Sequence, residues 1–171
     1  MVVSLRFDRP RPDERWLAVV RRLAHDRGLD VVVAPQVGRD SQRAAELASA
    51  LDGDLVDWDG VDHAKAELRV RELYSRAQFV VSDRLHALII GHTEGAVPLG
   101  LGTADVGKLR RTLAVVGLSD CAWEPAGSSL EESLDRVARL EERRGEVLEG
   151  VVRARAELAD LRERMRAVAA R

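Results

Sequence analysis

The chain has 171 residues, of which 46% are hydrophobic and 33% charged, with a formal net charge of −2. This balance is typical of one folded domain and excludes a disordered segment. The near-neutral charge gives no support for a nucleic-acid or anionic-membrane partner. Cys121 is the only cysteine, which excludes an internal disulfide and a thiolate metal cage. A signal-like apolar start and a membrane-length apolar run of ~20 residues are both lacking, so we expect a cytoplasmic protein.

Short strand-forming runs alternate with segments of helical period as far as Trp123. The predicted strands are residues 2–5, 30–34, 55–58, 79–81, 98–101 and 121–123. The first helix, residues 13–25, ends at Gly28, and the second is capped by Asp40 or Ser41. Three later helices are predicted. The first has an apolar face at Ala66, Val70, Leu73 and Ala77, the second follows Arg84, and the third has an apolar face at Leu109, Leu113 and Val116. Six βα repeats predict the α/β class: a Rossmann-like parallel sheet with helices on both faces.

The last part of the chain, residues 128–171, has no strand signal and finely mixed charges. From Val147 its apolar residues recur in steps of four and three. They are Val147, Val151, Ala154, Leu158, Leu161, Met165 and Val168. This spacing predicts a long charged helix with one narrow apolar seam, and a self-associating coiled coil needs more heptads than these. We therefore expect the seam to pack on another element or domain, and divide the chain into an α/β domain, 1–127, and a helical extension, 128–171.

The segment from Phe79 to Gly91 carries the strongest chemical signal. A strand runs into Ser82 and Asp83, and Arg84 and His86 then open an apolar helix. Asp83 is predicted as the N-cap, with Arg84 and His86 near the N1 and N3 positions, where free N–H groups and the helix dipole favour an anion. An isolated histidine is more often structural, but a polar pair at the start of an apolar helix needs a reason.

Further polar residues follow the carboxyl ends of the other predicted strands, where parallel sheets bind ligands. They are Arg6, Gln36, Asp40, Gly100, Gly102, Thr103 and Lys108. The convergence of three cations, a histidine and glycine backbone predicts a small acidic ligand. Alternatively, Arg6 and Lys108 are ordinary surface residues. No spacing predicts a metal site or a cofactor, and neither a dinucleotide nor a P-loop fingerprint is present.

The segment Ser82-Asp83-Arg84-Leu85-His86-Ala87, with Gly95-Ala96-Val97-Pro98-Leu99 and Lys108 after it, resembles the C-terminal domain of polysaccharide pyruvyl transferases. The strand before Arg6 and the turn from Pro35 to Ser41 also resemble the family, over about residues 2–123. The resemblance implies one half of a GT-B-like fold. It implies transfer of a pyruvyl group from phosphoenolpyruvate to sugar hydroxyls of a polysaccharide acceptor, releasing phosphate.

The same resemblance implies the roles of the site residues. Arg6, Arg84, Lys108 and Gln36 would bind the donor, and His86 would be the catalytic acid–base. The family usually carries an N-terminal domain as well, which implies a homodimer or a separate partner chain. The tyrosine expected near the loop 103–107 is not present. Two alternatives stay open: a non-catalytic interaction module of the same fold, and a nucleotide-sugar-binding domain of a GT-B glycosyltransferase.

Overall fold

The computed structural model describes residues 1–58, 60 and 62–169, and within this range it shows one sheet of six parallel strands. The strands are β1 Val2–Ser4, β2 Val32–Val33, β3 Asp54–Leu55, β4 Phe79–Ser82, β5 Val97–Leu101 and β6 Ala122–Trp123. Their order is β3-β2-β1-β4-β5-β6, so the order reverses between β1 and β4. This arrangement confirms the predicted α/β class and places all carboxyl strand ends at one edge.

Seven helices connect and follow the strands of the described sheet. They are α1 Glu14–Arg27, α2 Ser41–Leu51, α3 His63–Ser75, α4 Leu85–Thr93, α5 Gly107–Ala114, α6 Leu130–Glu142 and α7 Arg144–Ala169. The ends of α1 follow local sequence rules. The Asp13 side chain accepts a hydrogen bond from the backbone of Trp16, and Gly28 ends the helix in the left-handed conformation.

Two apolar cores lie on opposite faces of the sheet, because alternate residues of each strand point to opposite sides. The larger core joins Val3 and Val81 of the sheet to α1, α2 and α6. The smaller core joins Val2 and Val80 to Tyr74 at the end of α3 and to Ala87 of α4. Helices therefore cover both faces, as predicted, and each fully buried large apolar side chain contributes roughly 1.5–3 kcal/mol.

Two helix ends and one strand differ from their predicted bounds. Val116 lies beyond the end of α5 and is 57% exposed, because the helix stops at Ala114 after burying Leu109 and Leu113. Ala77 is buried, but α3 has already ended at Ser75. The third strand is shorter than predicted: it spans Asp54–Leu55, at the exposed edge of the sheet.

The apolar seam of α7 contacts the rest of the chain only near its start. Val147 is buried and Val151 is half-buried, but Leu158, Met165 and Val168 are largely exposed. Arg155 of α7 also donates a hydrogen bond to the Thr93 carbonyl, at 2.6 Å. The side chain of Ala154, another predicted seam residue, lies outside the described part. The expected packing is thus present at the first turns only, and within the described chain the seam beyond Val151 is uncovered.

Candidate functional site

The sheet edge at the carboxyl ends of β1, β4 and β5 contains a cleft of about 240 Å³. It lies beside the point where the strand order reverses, which is where open α/β sheets bind ligands. The polar side chains that line it include Arg6, Arg9, Asp83, Arg84, His86 and Lys108. Four of the five predicted site residues therefore meet in one cleft, although they come from three separate segments of the chain.

Asp83 does not cap α4, which corrects the sequence prediction. Arg84 is the N-cap residue, and its backbone N–H donates instead to the Ser82 hydroxyl at 2.9 Å. The Oδ1 atom of Asp83 accepts a hydrogen bond from the backbone N–H of Arg6, at 2.9 Å, which ties the end of β4 to the end of β1. His86 consequently stands at the second helical position and not the third, still within the first turn.

The second oxygen of the Asp83 carboxyl group is the most unusual atom of the cleft. Oδ2 is buried and accepts no hydrogen bond from any described residue. Burial raises the pKa of Asp83, an effect that the Arg6 backbone N–H and the charges of Arg84 and Arg9 offset in part. Asp83 therefore holds its proton more tightly than an ordinary aspartate, and it is a functional candidate whose role the capping prediction missed.

Arg84 is held by a buried carboxylate rather than free to meet a ligand. Its Nη2 atom donates to Oδ1 of Asp40 at 2.7 Å and lies 2.6 Å from Oδ2. Asp40 is fully buried, and its Oδ1 also accepts the backbone N–H of Phe7 at 3.0 Å. The Nε atom of Arg84 is buried without a partner among the described residues. Asp40 neutralises most of the charge of Arg84, so the main effect of this ion pair is to position the start of α4.

Arg6 is also paired within the chain. Its Nε and Nη2 atoms donate to the two oxygens of Asp8, at 2.8 and 2.5 Å, and this bonding raises the pKa of Arg6. The pair is about two-fifths exposed, so solvent screens it. Arg6 can therefore exchange Asp8 for an anionic ligand at a smaller cost than Arg84 can leave Asp40.

Lys108 and Arg9 supply the charge that is not already paired. Lys108 is exposed at the start of α5, and Arg9 follows β1 in a loop; neither forms an ion pair within the described part of the chain. Arg9 was not predictable as a site residue from the sequence, because only the fold shows that its loop turns back beside Asp83. The two cations and the free N–H groups at the start of α4 can bind an anion.

The backbone at Gly102 and Thr103 forms the wall of the cleft after β5. A Cβ atom on Gly102 would lie 2.1 Å from Cγ1 of Val106, so only glycine permits this close turn. The hydroxyl of Thr103 is buried and unpaired among the described residues. Together with Asp83 Oδ2 and Arg84 Nε, it is the third cleft-lining residue with a buried polar atom that lacks a partner, an arrangement that suits a polar ligand.

Gln36 lies apart from this cleft. It follows β2 and lies close to Tyr74, whose hydroxyl is buried without a hydrogen-bond partner among the described residues. Burial raises the pKa of Tyr74 to about 12. The structure thus gives Gln36 no place among the cleft-lining residues. Its predicted role in binding the donor would require a movement of the loop after β2.

A larger cleft, of about 550 Å³, lies between α5 and α6 and is lined by Arg110, Arg136, Arg139 and Arg143. Arg143 is bonded to Asp120 at 2.8 Å, and the Arg136 guanidinium lies 5.2 Å from the Trp123 ring centroid. None of the buried, unpaired polar atoms of the described chain lies in this cleft. The carboxyl edge, where such atoms cluster, is therefore the better candidate for a functional site.

Among residues 1–58, 60 and 62–169, no three histidine, cysteine, aspartate or glutamate side chains are grouped in a way that could bind a metal ion. None of the helices in the same range combines the length and the apolar character that crossing a membrane requires.

Comparison with known proteins gives one structural match. No family model and no curated protein matches the chain. Among solved structures, it is similar to a mutant of the O-GlcNAc transferase of Thermobaculum terrenum, with 17% sequence identity and a TM-score of 0.48. The match covers 96% of this chain but only 35% of that chain.

Proposed function

We propose that this chain is the donor-binding domain of a pyruvyltransferase, which binds phosphoenolpyruvate for transfer of its pyruvyl group to sugar hydroxyls of a polysaccharide. The observation that carries the proposal is the convergence of Arg84, His86 and Lys108 in one cleft. These three residues belong to the segments that resemble the pyruvyl transferase family, and Lys108 lies on a different helix from the other two. Because these residues lie together in one cleft, the segments that resemble the family could form one binding site.

The charges of the cleft suit this donor. Phosphoenolpyruvate carries a phosphate and a carboxylate on a three-carbon unit, so it needs two cationic contacts a short distance apart. Lys108 and Arg9 offer unpaired charges, and the first turn of α4 offers N–H groups. Arg6 is a further contact that becomes available when it leaves Asp8. Arg84 supports the site through Asp40 and orients the turn that carries His86.

His86 is the proposed acid–base residue for the acceptor. Its exposed position on the wall of the cleft lets an incoming sugar hydroxyl reach it from solvent. An imidazole exchanges protons near neutral pH and can take the proton of that hydroxyl as its oxygen attacks the donor. The acceptor, and a homodimeric or separate partner chain that completes its binding site, belong to the proposal, as does a cytoplasmic location.

Donor binding tests the proposal. The chain has two lysines, and Lys65 is an exposed residue of α3, far in sequence from the cleft segments. In calorimetric titrations with phosphoenolpyruvate, we expect Lys108→Gln to weaken binding roughly 5- to 30-fold, because one charge-assisted contact contributes about 1–2 kcal/mol. Lys65→Gln should bind like the wild type. The proposal fails if the wild-type chain does not bind the donor or if both variants lose the same affinity.

Transfer activity tests the role of His86. With the donor, a saccharide acceptor and any required partner chain present, His86→Gln should reduce ketal formation roughly 10²- to 10⁴-fold, the usual contribution of general acid–base catalysis. Its donor affinity should stay within about threefold of the wild type. His25→Gln, at an exposed position on α1, is the matched control. Full activity of His86→Gln would remove the histidine from the proposed reaction.

A further inference from the structure

We propose that Asp83 is the proton donor of the cleft and that it protonates the methylene carbon of the bound donor. This inference rests on the proposed function, because it needs a donor with an enol carbon. The geometric basis is the arrangement of the carboxyl group itself. Asp83 lines the cleft, and its Oδ1 accepts a hydrogen bond from the Arg6 backbone N–H at 2.9 Å. Its Oδ2 is buried and has no partner among the described residues.

The hydrogen-bond pattern favours the protonated form of Asp83. An ionised carboxylate buried in a protein requires donors to both oxygens, and here only Oδ1 has one. A proton on Oδ2 removes the charge and makes that atom a hydrogen-bond donor that has no acceptor among the described residues. A carboxyl group in this state can give a hydrogen bond, or the proton itself, to a molecule in the cleft.

The surrounding charges decide when the proton leaves. The charged and titratable groups that line the same cleft as Asp83 come from the loop after β1, from the start of α4, from the loop after β5 and from α5. They are Arg6, Arg9, Arg84, His86, Asp105 and Lys108. Arg84 is neutralised by Asp40, and Arg6 by Asp8, which weakens their pull on the carboxylate. Burial has the larger effect and raises the pKa of Asp83. A bound donor with several negative charges favours the protonated carboxyl group further.

The reaction needs an acid that protonates carbon and a base that accepts the proton of the acceptor hydroxyl, and the cleft has one group for each role. The carboxyl proton of Asp83 forms a C–H bond with the methylene carbon, using the electron pair of the double bond, and the central carbon becomes electron-deficient. A first sugar hydroxyl attacks that carbon and loses its proton to His86. The carbon–oxygen bond to phosphate then breaks, phosphate leaves with the electron pair, and His86 protonates it. A second hydroxyl completes the ketal, and its proton restores Asp83.

The titration of Asp83 in the free protein is the first test. Asp83→Asn keeps an oxygen that can accept the Arg6 N–H, and it removes the proton. In ¹³C carboxyl NMR, the resonance absent from Asp83→Asn should titrate in the wild type above about pH 3.9, the ordinary value for aspartate. A midpoint at or below that value overturns the inference, because burial would then not make Asp83 hold its proton more tightly than an ordinary aspartate does.

Proton uptake on donor binding is the second test. Calorimetry of phosphoenolpyruvate binding in buffers of different ionisation enthalpy measures the protons taken up. At a pH above the midpoint of Asp83 in the free protein, where its carboxyl group is ionised, we expect uptake by the wild type and by His86→Gln. In Asp83→Asn the uptake should be lost, with an affinity for phosphoenolpyruvate within threefold of the wild type. With partner and acceptor, Asp83→Asn should lower ketal formation roughly 10²- to 10⁴-fold.

The outcomes separate the two proposals. Unchanged proton uptake in Asp83→Asn, with normal donor binding, overturns the role of Asp83 and leaves the donor-binding function intact. If the wild type does not bind phosphoenolpyruvate, the proposed function and the protonation step both fail, whatever the midpoint of Asp83.

Discussion

Asp40 is the buried charge that fixes the residues of the cleft. It bonds to Arg84 of the α4 start and to the Phe7 backbone after β1, so it joins three strand ends. Its partner Arg84 is only one-fifth exposed. Removing one member of such a pair leaves the other uncompensated, whereas removing both does not.

We therefore expect Arg84→Met to lower the free energy of unfolding by about 3 kcal/mol in urea denaturation. The double variant Asp40→Asn with Arg84→Met should recover part of that loss. Arg6→Met, which breaks only the exposed pair with Asp8, is the control and should have little effect. The structure indicates that the two residues are coupled. This would be contradicted if Asp40→Asn lowered the free energy of unfolding as much in the Arg84→Met background as it does alone.

Tyr74 offers a pH test of the smaller core. It is the only tyrosine of the chain, it is fully buried, and burial raises its pKa from 10.0 to about 12. Because the folded state holds the phenolic proton more tightly than the unfolded state, this stabilisation is complete below pH 10 and is lost as the pH rises towards 12.

At about pH 10.5, which lies between the ordinary pKa of tyrosine and the raised pKa of Tyr74, ultraviolet difference spectroscopy should show no tyrosinate in the folded protein. In denaturant, Tyr74 should titrate normally. The free energy of unfolding should fall over the same range, less steeply in Tyr74→Phe. Titration of the folded protein near the ordinary tyrosine pKa would contradict the buried position.

The charged residues also show how far the sequence could predict the site. Arg6, Arg84 and Lys108 were placed at one edge because all parallel strands end there, and the structure confirms that placement. The role of Asp83 was not predictable from local rules, because the Arg6 N–H that takes its side chain lies far away in the sequence. Gln36 follows a strand in the same way, yet its loop leads it to Tyr74 instead.

At the scale of secondary structure, the contact of α4 with β4 sets the height of His86 above the sheet. Gly91 permits this contact, because a Cβ atom there would lie 2.6 Å from Cγ2 of Val80, which is buried. A Cβ atom on Gly150 of α7 would have no neighbouring atom within 4 Å. The two helical glycines therefore make a matched pair.

We expect Gly91→Ala to destabilise the fold by roughly 1–3 kcal/mol through overpacking. Gly150→Ala should instead stabilise α7 slightly, since alanine favours helix by about 1 kcal/mol over glycine. Thermal unfolding measures both changes. A neutral or stabilising Gly91→Ala would show that α4 can move away from β4 without cost.

The helix boundaries depended on two kinds of signal. The start and end of α1 were predictable, because Asp13 and Gly28 act through bonds within a few residues. The end of α5 was not, since Val115 and Val116 continue an apolar pattern but face solvent once the chain turns at Gly117. Apolar periodicity alone does not show where tertiary packing stops.

At the scale of the whole molecule, α7 extends about 39 Å by its 26 residues and leaves the body after its first turns. Exposed fractions of 70% for Val152 and 65% for Leu158 indicate that the later turns bury little apolar area within the described chain. The expected packing of the later seam residues on another domain stays a prediction.

Deleting residues 157–171 should accordingly leave the thermal unfolding midpoint of the isolated body within about one degree, because surface changes alter stability by less than ~0.5 kcal/mol. The deletion keeps Arg155 and its bond to the Thr93 carbonyl. A large loss of stability would mean that the seam is covered in solution, by self-association or by the body, and sedimentation of both forms would then distinguish these two cases.

The most direct test of the account is to map where phosphoenolpyruvate binds by following backbone amide resonances in NMR titrations. We predict saturable shifts around His86, Gly102 and Thr103, at the carboxyl edge of β4 and β5, which weaken in Lys108→Gln. Shifts that instead centre on Arg110 and Arg136 in the larger cleft, or no saturable shifts at all, would contradict the proposed donor site.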